Sequence, residues 1–151
     1  MEMRDITKDA VIISEDASFR EAIELMVKKK TNTLLVVNEE GELSGEVNVS
    51  DLLDAIIPMD LNPDNIDAVL GTEDGFKKAV RGAEDRTVMD FMSADFEAVH
   101  MTDTLIEIAG TAIAHQTEHI PVVDRDNHPI GVISRQGLKH ILAKYLGIKG
   151  E

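Results

Sequence analysis

Two stretches hold side chains with evident chemical use: residues 45–51 read Gly-Glu-Val-Asn-Val-Ser-Asp, and residues 131–137 read Gly-Val-Ile-Ser-Arg-Gln-Gly. A carboxylate such as Asp51 can accept hydrogen bonds from two neighbouring hydroxyls at once, and these charge-assisted contacts are stronger than neutral ones. Ser134 and Arg135 stand at the mouth of an expected helix, where first-turn N–H groups lack intrahelical partners and suit a phosphate oxygen. Plainer roles exist for the same residues. Asp51 can complement its helix dipole for about 0.3–1 kcal/mol, and Ser50 or Ser134 can cap for about 1 kcal/mol. His119 is a further basic group near the second stretch, suited either to a phosphate or to a structural hydrogen bond.

Other constellations fail on geometry. His115-Gln116-Thr117-Glu118-His119 matches the H-x-x-E-H string of inverted zinc peptidases, which needs both histidines on one helical face. Pro121 biases the residue before it toward extended backbone, and His119 then belongs to the strand that follows, so that face is broken. Asp60, Asn62 and Asp64 imitate the start of a calcium loop, but Asn65 and Gly71 stand where the loop needs glycine and glutamate. There is no phosphate-binding G-x-x-x-x-G-K loop, no G-x-S-x-G elbow and no glycine-rich dinucleotide turn. No nucleophile, base and oxyanion donor come together, which predicts a protein without catalytic residues or metal ligands.

What positions these groups is a repeat. An offset of 86 residues, without a gap, pairs Asp9 with Asp95, Glu21 with Glu107, Val36-Val37 with Val122-Val123, Gly45 with Gly131 and Leu52 with Leu138. In the first copy Phe19, Ile23, Met26 and Val27 fall at helical spacing behind Ser18, with Glu21 set to complete a capping box, so residues 18–30 form a helix. Strands follow at 34–37 and 44–49 around a glycine turn, and a helix over 50–57 stops at Pro58. The second copy repeats the pattern with a helix at 104–116, strands at 120–123 and 130–134, and a last helix running to Tyr145 and ended by Gly147. Each copy therefore reads strand, helix, strand, strand, helix. A unit with one exposed apolar face cannot bury it alone, so the copies pack together and leave two related clefts.

The boundaries that follow are 1–57 and 88–146 for the repeats, with a linker at 58–87 carrying short helical runs at 66–70 and 75–80. This linker reads as a surface excursion. Leu105, Ile106, Ile108, Ala109, Ala112 and Ile113 make the second copy's first helix apolar on more than one face, and Gly110, Ala112 and Ala114 keep it slim. That helix is either fully buried or the contact of a homodimer.

Twenty-nine acidic against fifteen basic residues give a formal charge of −14, which repels nucleic acid and anionic lipid. Aromatic residues are too few, at 3%, for a base-stacking platform. The absence of cysteine excludes disulfides and thiolate metal sites and fits a cytoplasmic setting. No run approaches the apolar length of a membrane span or a signal peptide.

At residues 119–138 the sequence runs HIPVVDRDNHPIGVISRQGL, at 34–53 LLVVNEEGELSGEVNVSDLL, and at 88–93 VMDFMS. These phrases, in register, resemble a tandem pair of cystathionine beta-synthase (CBS) domains, the regulatory unit also called a Bateman module. The resemblance implies an α+β fold of two pseudo-symmetric repeats packed sheet to sheet. It also implies an adenosine-containing ligand in an inter-repeat cleft: AMP, ADP, ATP, S-adenosylmethionine or NAD. In that family an Asp six positions after the strand glycine meets the ribose, and a Thr or Ser three positions after it meets phosphate. Here the first copy keeps Asp51 but has Asn48 at the hydroxyl position, and the second keeps Ser134 but has Gly137 at the aspartate position, so each cleft is half equipped. By the same resemblance adenine lies near Ile12, Ile13, Thr33 and Leu35 in one cleft and near Ala98, Val99, His119 and Pro121 in the other.

The reading that follows is a non-enzymatic sensor and homodimer. In so acidic a protein a triphosphate calls for an accompanying cation such as magnesium, or else the ligand carries less negative charge. The split motif leaves open a dimerising scaffold indifferent to nucleotides, and the acidic charge leaves open a magnesium sensor.

Overall fold

A computed structural model describes residues 5–57, 71–115 and 119–149. The calcium-like segment, the stop at Pro58, the helical run at 66–70 and residues 116–118 lie outside it.

The first repeat contains β2 (Ile12–Ser14), α1 (Phe19–Lys29), β3 (Thr33–Val37), β4 (Leu43–Asn48) and α2 (Val49–Ala55). The second contains β5 (Val99–His100), α5 (Leu105–His115), β6 (His119–Val123), β7 (Pro129–Ser134) and α6 (Arg135–Tyr145). Between them lie α3 (Glu73–Gly82) and α4 (Val88–Phe91), and β1 (Thr7–Lys8) precedes the first repeat. The expected strand, helix, strand, strand, helix order holds in both copies. One boundary moves: Val49 opens α2 and does not end β4, because the Asn48 side chain caps the helix there.

Local chemistry explains the elements. Ser18 Oγ accepts from the Glu21 amide at the start of α1, and Lys30, in the left-handed region at φ 54°, ends that helix. Each hairpin turn is built on an Asx residue. Asn38 Oδ1 accepts from the amides of Glu40 and Glu42, and its equivalent Asp124 accepts from those of Asp126 and His128. The left-handed turn positions also correspond, Gly41 at φ 79° and Asn127 at φ 66°.

Three strands, in the order β2-β3-β4, make the first sheet, and four, in the order β1-β7-β6-β5, make the second. β1 belongs to the N-terminal lead-in yet pairs antiparallel with β7 of the other repeat, Thr7 opposite Ile133. The second repeat's lead-in does the converse: Ser93 bridges Glu46 on β4. Each repeat thus lends its lead-in to its partner's sheet, one as the strand β1 and the other through a single bridge. The strand glycines exist for this exchange. A Cβ on Gly131 would collide with Thr7 and lie 2.7 Å from the Lys8 carbonyl, and one on Gly45 would lie 2.9 Å from the Ser93 carbonyl.

Each sheet has a core on its helical side. Leu34, Val36 and Val47 pack beneath Phe19, Ala22, Met26 and Leu52, while Ile120, Val122 and Ile133 pack with Ile108 and Ile141. A third cluster joins the repeats, where Leu35 and Leu43 meet Val123, flanked by the symmetry-related Ala10 and Phe96. The end of the linker is docked rather than loose. The Arg86 guanidinium donates to the Ala55 carbonyl at 2.7 Å, the Val88 amide donates to Ala17, and Phe91 stacks edge-on against Phe19 with ring centres 5.7 Å apart.

The second copy's apolar helix is not fully buried. Leu105, Ile108 and Ala112 face the second core, whereas Ile106 and Ile113 are 79% and 75% exposed. Gly110 on the same helix has open space where a Cβ would stand. The wide apolar surface therefore has one side satisfied and one bare.

Candidate functional site

The registers of the two hairpins define the faces that meet. Thr33 lies opposite Asn48, and Leu35 opposite Glu46. Cross-strand partners and alternate residues share one face, so Thr33, Leu35, Glu46 and Asn48 all point away from the Leu34–Val36–Val47 core. In the second repeat His119 lies opposite Ser134 and Pro121 opposite Val132, on the face away from Ile120, Val122 and Ile133. Seven of the ten residues singled out from sequence, Asn48, Thr33, Leu35, Asp51, His119, Pro121 and Ser134, are on these two faces or at their edges.

The faces touch at the equivalent residues Thr33 and His119, whose Oγ1 and Nδ1 are 3.3 Å apart, and nearby the Leu43 amide donates to the Asn127 carbonyl at 2.8 Å. The sequence reading put Thr33 and His119 in different clefts. They meet because residues related by the repeat offset come together on a two-fold axis between the halves.

Two residues need correction. Ile13, 6% exposed, lies in the first core, and Val99, 2% exposed, lies in the second, because each pairs with a core residue, Val36 and Val122 respectively. Their side chains are unavailable to a ligand on the inter-repeat face. The neighbours Ile12, opposite Leu35, and Ala98, beside the Leu35–Val123 cluster, hold the outward positions.

Asp51 is heavily used within the protein. Its Oδ2 accepts from the Asn48 amide at 2.9 Å while Asn48 Oδ1 accepts from the Asp51 amide, a reciprocal capping box, and its Oδ1 accepts from the Ser93 hydroxyl at 2.8 Å. Each carboxylate oxygen keeps a second lone pair for an incoming hydroxyl. Gly137, the equivalent position, does the matching job by smallness: a Cβ there would lie 3.4 Å from the Ile6 carbonyl of the other lead-in. Ser134 Oγ accepts from the Gly137 amide at 3.1 Å and caps α6, and Arg135 opens that helix in an exposed position.

Sequence reasoning missed Glu46. It is 6% exposed, and burial, followed by the nearby Asp51 charge, raises its pKa above the ordinary carboxylate range. Its signal was present: an acid stands where the second repeat has Val132.

His115 ends a helix and His119 begins a strand, so the zinc-peptidase spacing places its histidines on different elements. Among the described residues, Asp124, Asp126 and His128 form a group with ligand atoms within 4.8 Å of one another, in the turn after β6. His128 Nε2 is 3.0 Å from the Glu40 carbonyl, so that turn also ties the repeats together. No helix among these residues is long and apolar enough to cross a membrane.

Two lead-ins exchanged between two equivalent three-stranded units agree with the sequence comparison, which matches the CBS domain over residues 3–58 and again over 88–144. The chain belongs to the CBS domain family. Its two matched segments are the two repeats, which makes it a CBS pair. The uncharacterized protein MJ1426 of Methanocaldococcus jannaschii is 25% identical over 150 residues, covering 91% of this chain and 89% of that protein. The CBS pair also resembles the solved structure of CBSX2 from Arabidopsis thaliana, with a TM-score of 0.73, 22% identity and 96% of each chain covered. It spans only 55% of the full-length CBSX2 sequence. CBSX2 has been solved with AMP. The CBS domain pair of protein MJ0100, solved with 5′-methylthioadenosine and S-adenosylmethionine, superposes with a TM-score of 0.69 at 17% identity, covering 96% of this chain and 98% of that one.

Proposed function

We propose that this CBS pair is a non-catalytic regulatory module that binds an adenosine-containing ligand against the inter-repeat face. The observation that carries the reading is the shared face of Thr33, Leu35, Glu46 and Asn48 with Asp51 at its edge. Structures of the same fold hold AMP, 5′-methylthioadenosine and S-adenosylmethionine. A ligand that touches both repeats alters the free energy of one relative setting against another, which is the physical requirement for a sensor. Calorimetry and melting of the purified chain with AMP, ATP, 5′-methylthioadenosine and S-adenosylmethionine test the proposal. Binding by one of them with a raised melting temperature supports it. No heat and no shift from any contradicts it.

Asp51→Ala weakens the bound ligand by about tenfold, the loss of roughly 1.4 kcal/mol expected of one charge-assisted contact. The variant also releases the Ser93 hydroxyl, so melting of the ligand-free protein separates that structural loss from the loss of affinity.

Self-association belongs to the same reading. Ile106 and Ile113 on α5, Leu142 and Tyr145 on α6 and Leu146 at its end expose apolar surface on two helices that pack against one core. Such surface suits a two-fold partner of the same chain. Ile106→Asp with Ile113→Asp converts a dimer to a monomer in sedimentation equilibrium without lowering the monomer's helix content. A wild type that is already monomeric at high micromolar concentration contradicts the dimer.

A further inference from the structure

We propose that Glu46 makes the first repeat's face selective for an adenosyl ligand with a positive charge beside its sugar, a sulfonium such as that of S-adenosylmethionine, against one bearing a 5′-phosphate. This rests on the adenosyl-ligand reading and specifies the ligand class.

Glu46 is 6% exposed, and among the described residues no side chain hydrogen-bonds its carboxyl. Among the described residues, the charge that raises its pKa is that of Asp51, which has the same sign. No carboxyl oxygen of Glu46 is sealed from solvent, so the group opens onto the inter-repeat face, and the fold does not require an acid here, because the equivalent Val132 occupies the same position opposite Pro121. The group lies on the face with Leu35 and Asn48, between the apolar inter-repeat cluster and the Asp51 edge. A cation held on that face is within reach of its carboxylate.

A ligand whose ribose meets Asp51 brings its 5′ substituent near both carboxylates. Residues 46 and 48 share a face at a spacing of about 7 Å along the strand, so a group at Asn48 is within reach of Glu46. A phosphate dianion there meets two like charges, and at such separations in partly buried surroundings each repulsion costs more than about tenfold in affinity. Asn48 supplies no positive charge to offset it. A sulfonium in the same place satisfies Glu46 and gains from Asp51.

The test is calorimetry on the full chain with S-adenosylmethionine, 5′-methylthioadenosine and AMP, for the wild type, Glu46→Gln and Glu46→Val. The wild type binds S-adenosylmethionine at least about tenfold more tightly than AMP, with the neutral thioether between them. Both variants shrink that ratio by about fivefold or more, with melting curves showing them folded. Two variants are used so that misfolding of one does not remove the answer. AMP binding as tightly as S-adenosylmethionine, or a ratio unchanged in both variants, overturns the role of Glu46 while leaving adenosyl binding intact. Failure of all three ligands overturns the role of Glu46, and failure of ATP as well overturns adenosyl binding itself.

Discussion

Replacing Gly131 with alanine lowers the stability of the protein by about 2–3 kcal/mol, the range expected when a methyl group is forced into close-packed structure. The new Cβ collides with Thr7 and comes within 2.7 Å of the Lys8 carbonyl. The obstacle includes main chain on a paired strand, so it cannot be relieved by a rotamer change alone. β1 has to lift from β7, losing the Thr7–Ile133 and Lys8–Val132 register. The measurement is urea unfolding, with Gly110→Ala as the control. Gly110 has nothing within 4 Å of its Cβ position and lies inside a helix, so alanine there stabilises by about 0.5–1 kcal/mol. Equal effects at the two glycines would contradict the exchange of lead-ins as the reason for the strand glycine.

Glu46→Val has the opposite sign. Placing the residue of the second repeat at this position removes a largely buried carboxyl with a like-charged neighbour, and raises stability at neutral pH by about 1 kcal/mol. For a chain of this size that is a rise of a few degrees in melting temperature. The pH dependence follows from linkage. The folded state holds the Glu46 proton more tightly than the unfolded state, so the wild type loses stability as pH rises through the ordinary carboxylate range toward the raised folded value. The advantage of Glu46→Val is therefore small in acid and grows to its full size above that window. A melting difference independent of pH between 4 and 8 contradicts the assignment. A residue that weakens the ligand-free protein in this way is typical of groups kept for binding.

The repeat carried most of the fold into view from sequence. Apolar spacing in 18–30 and 104–116 and the paired glycines at 45 and 131 located both helices and both hairpins to within a residue or two. What stayed hidden was tertiary in origin. β1 is two residues long, too short for any periodicity, and its pairing with the other repeat's sheet arises only after the halves pack. The Asn48–Asp51 capping box was visible in principle. Asn and Asp at these positions of a helix start are a recognised pattern, and Asn48 caps α2 although it lacks the hydroxyl a phosphate would meet. The side-chain faces of Ile13 and Val99 are illegible from sequence because strands of three and two residues give no alternation, and both side chains turn into the cores. Ile12 and Ala98 became assignable once their neighbours' registers were known.

Titrating isotope-labelled protein with S-adenosylmethionine and following its backbone amide signals tests the central claim most directly. Shifts concentrated at Thr33, Leu35, Glu46, Asn48 and Asp51 are the predicted result. Shifts confined to the outer groove between α1, α2 and α3, around Val27, Leu53 and Phe76, would contradict a binding face between the repeats.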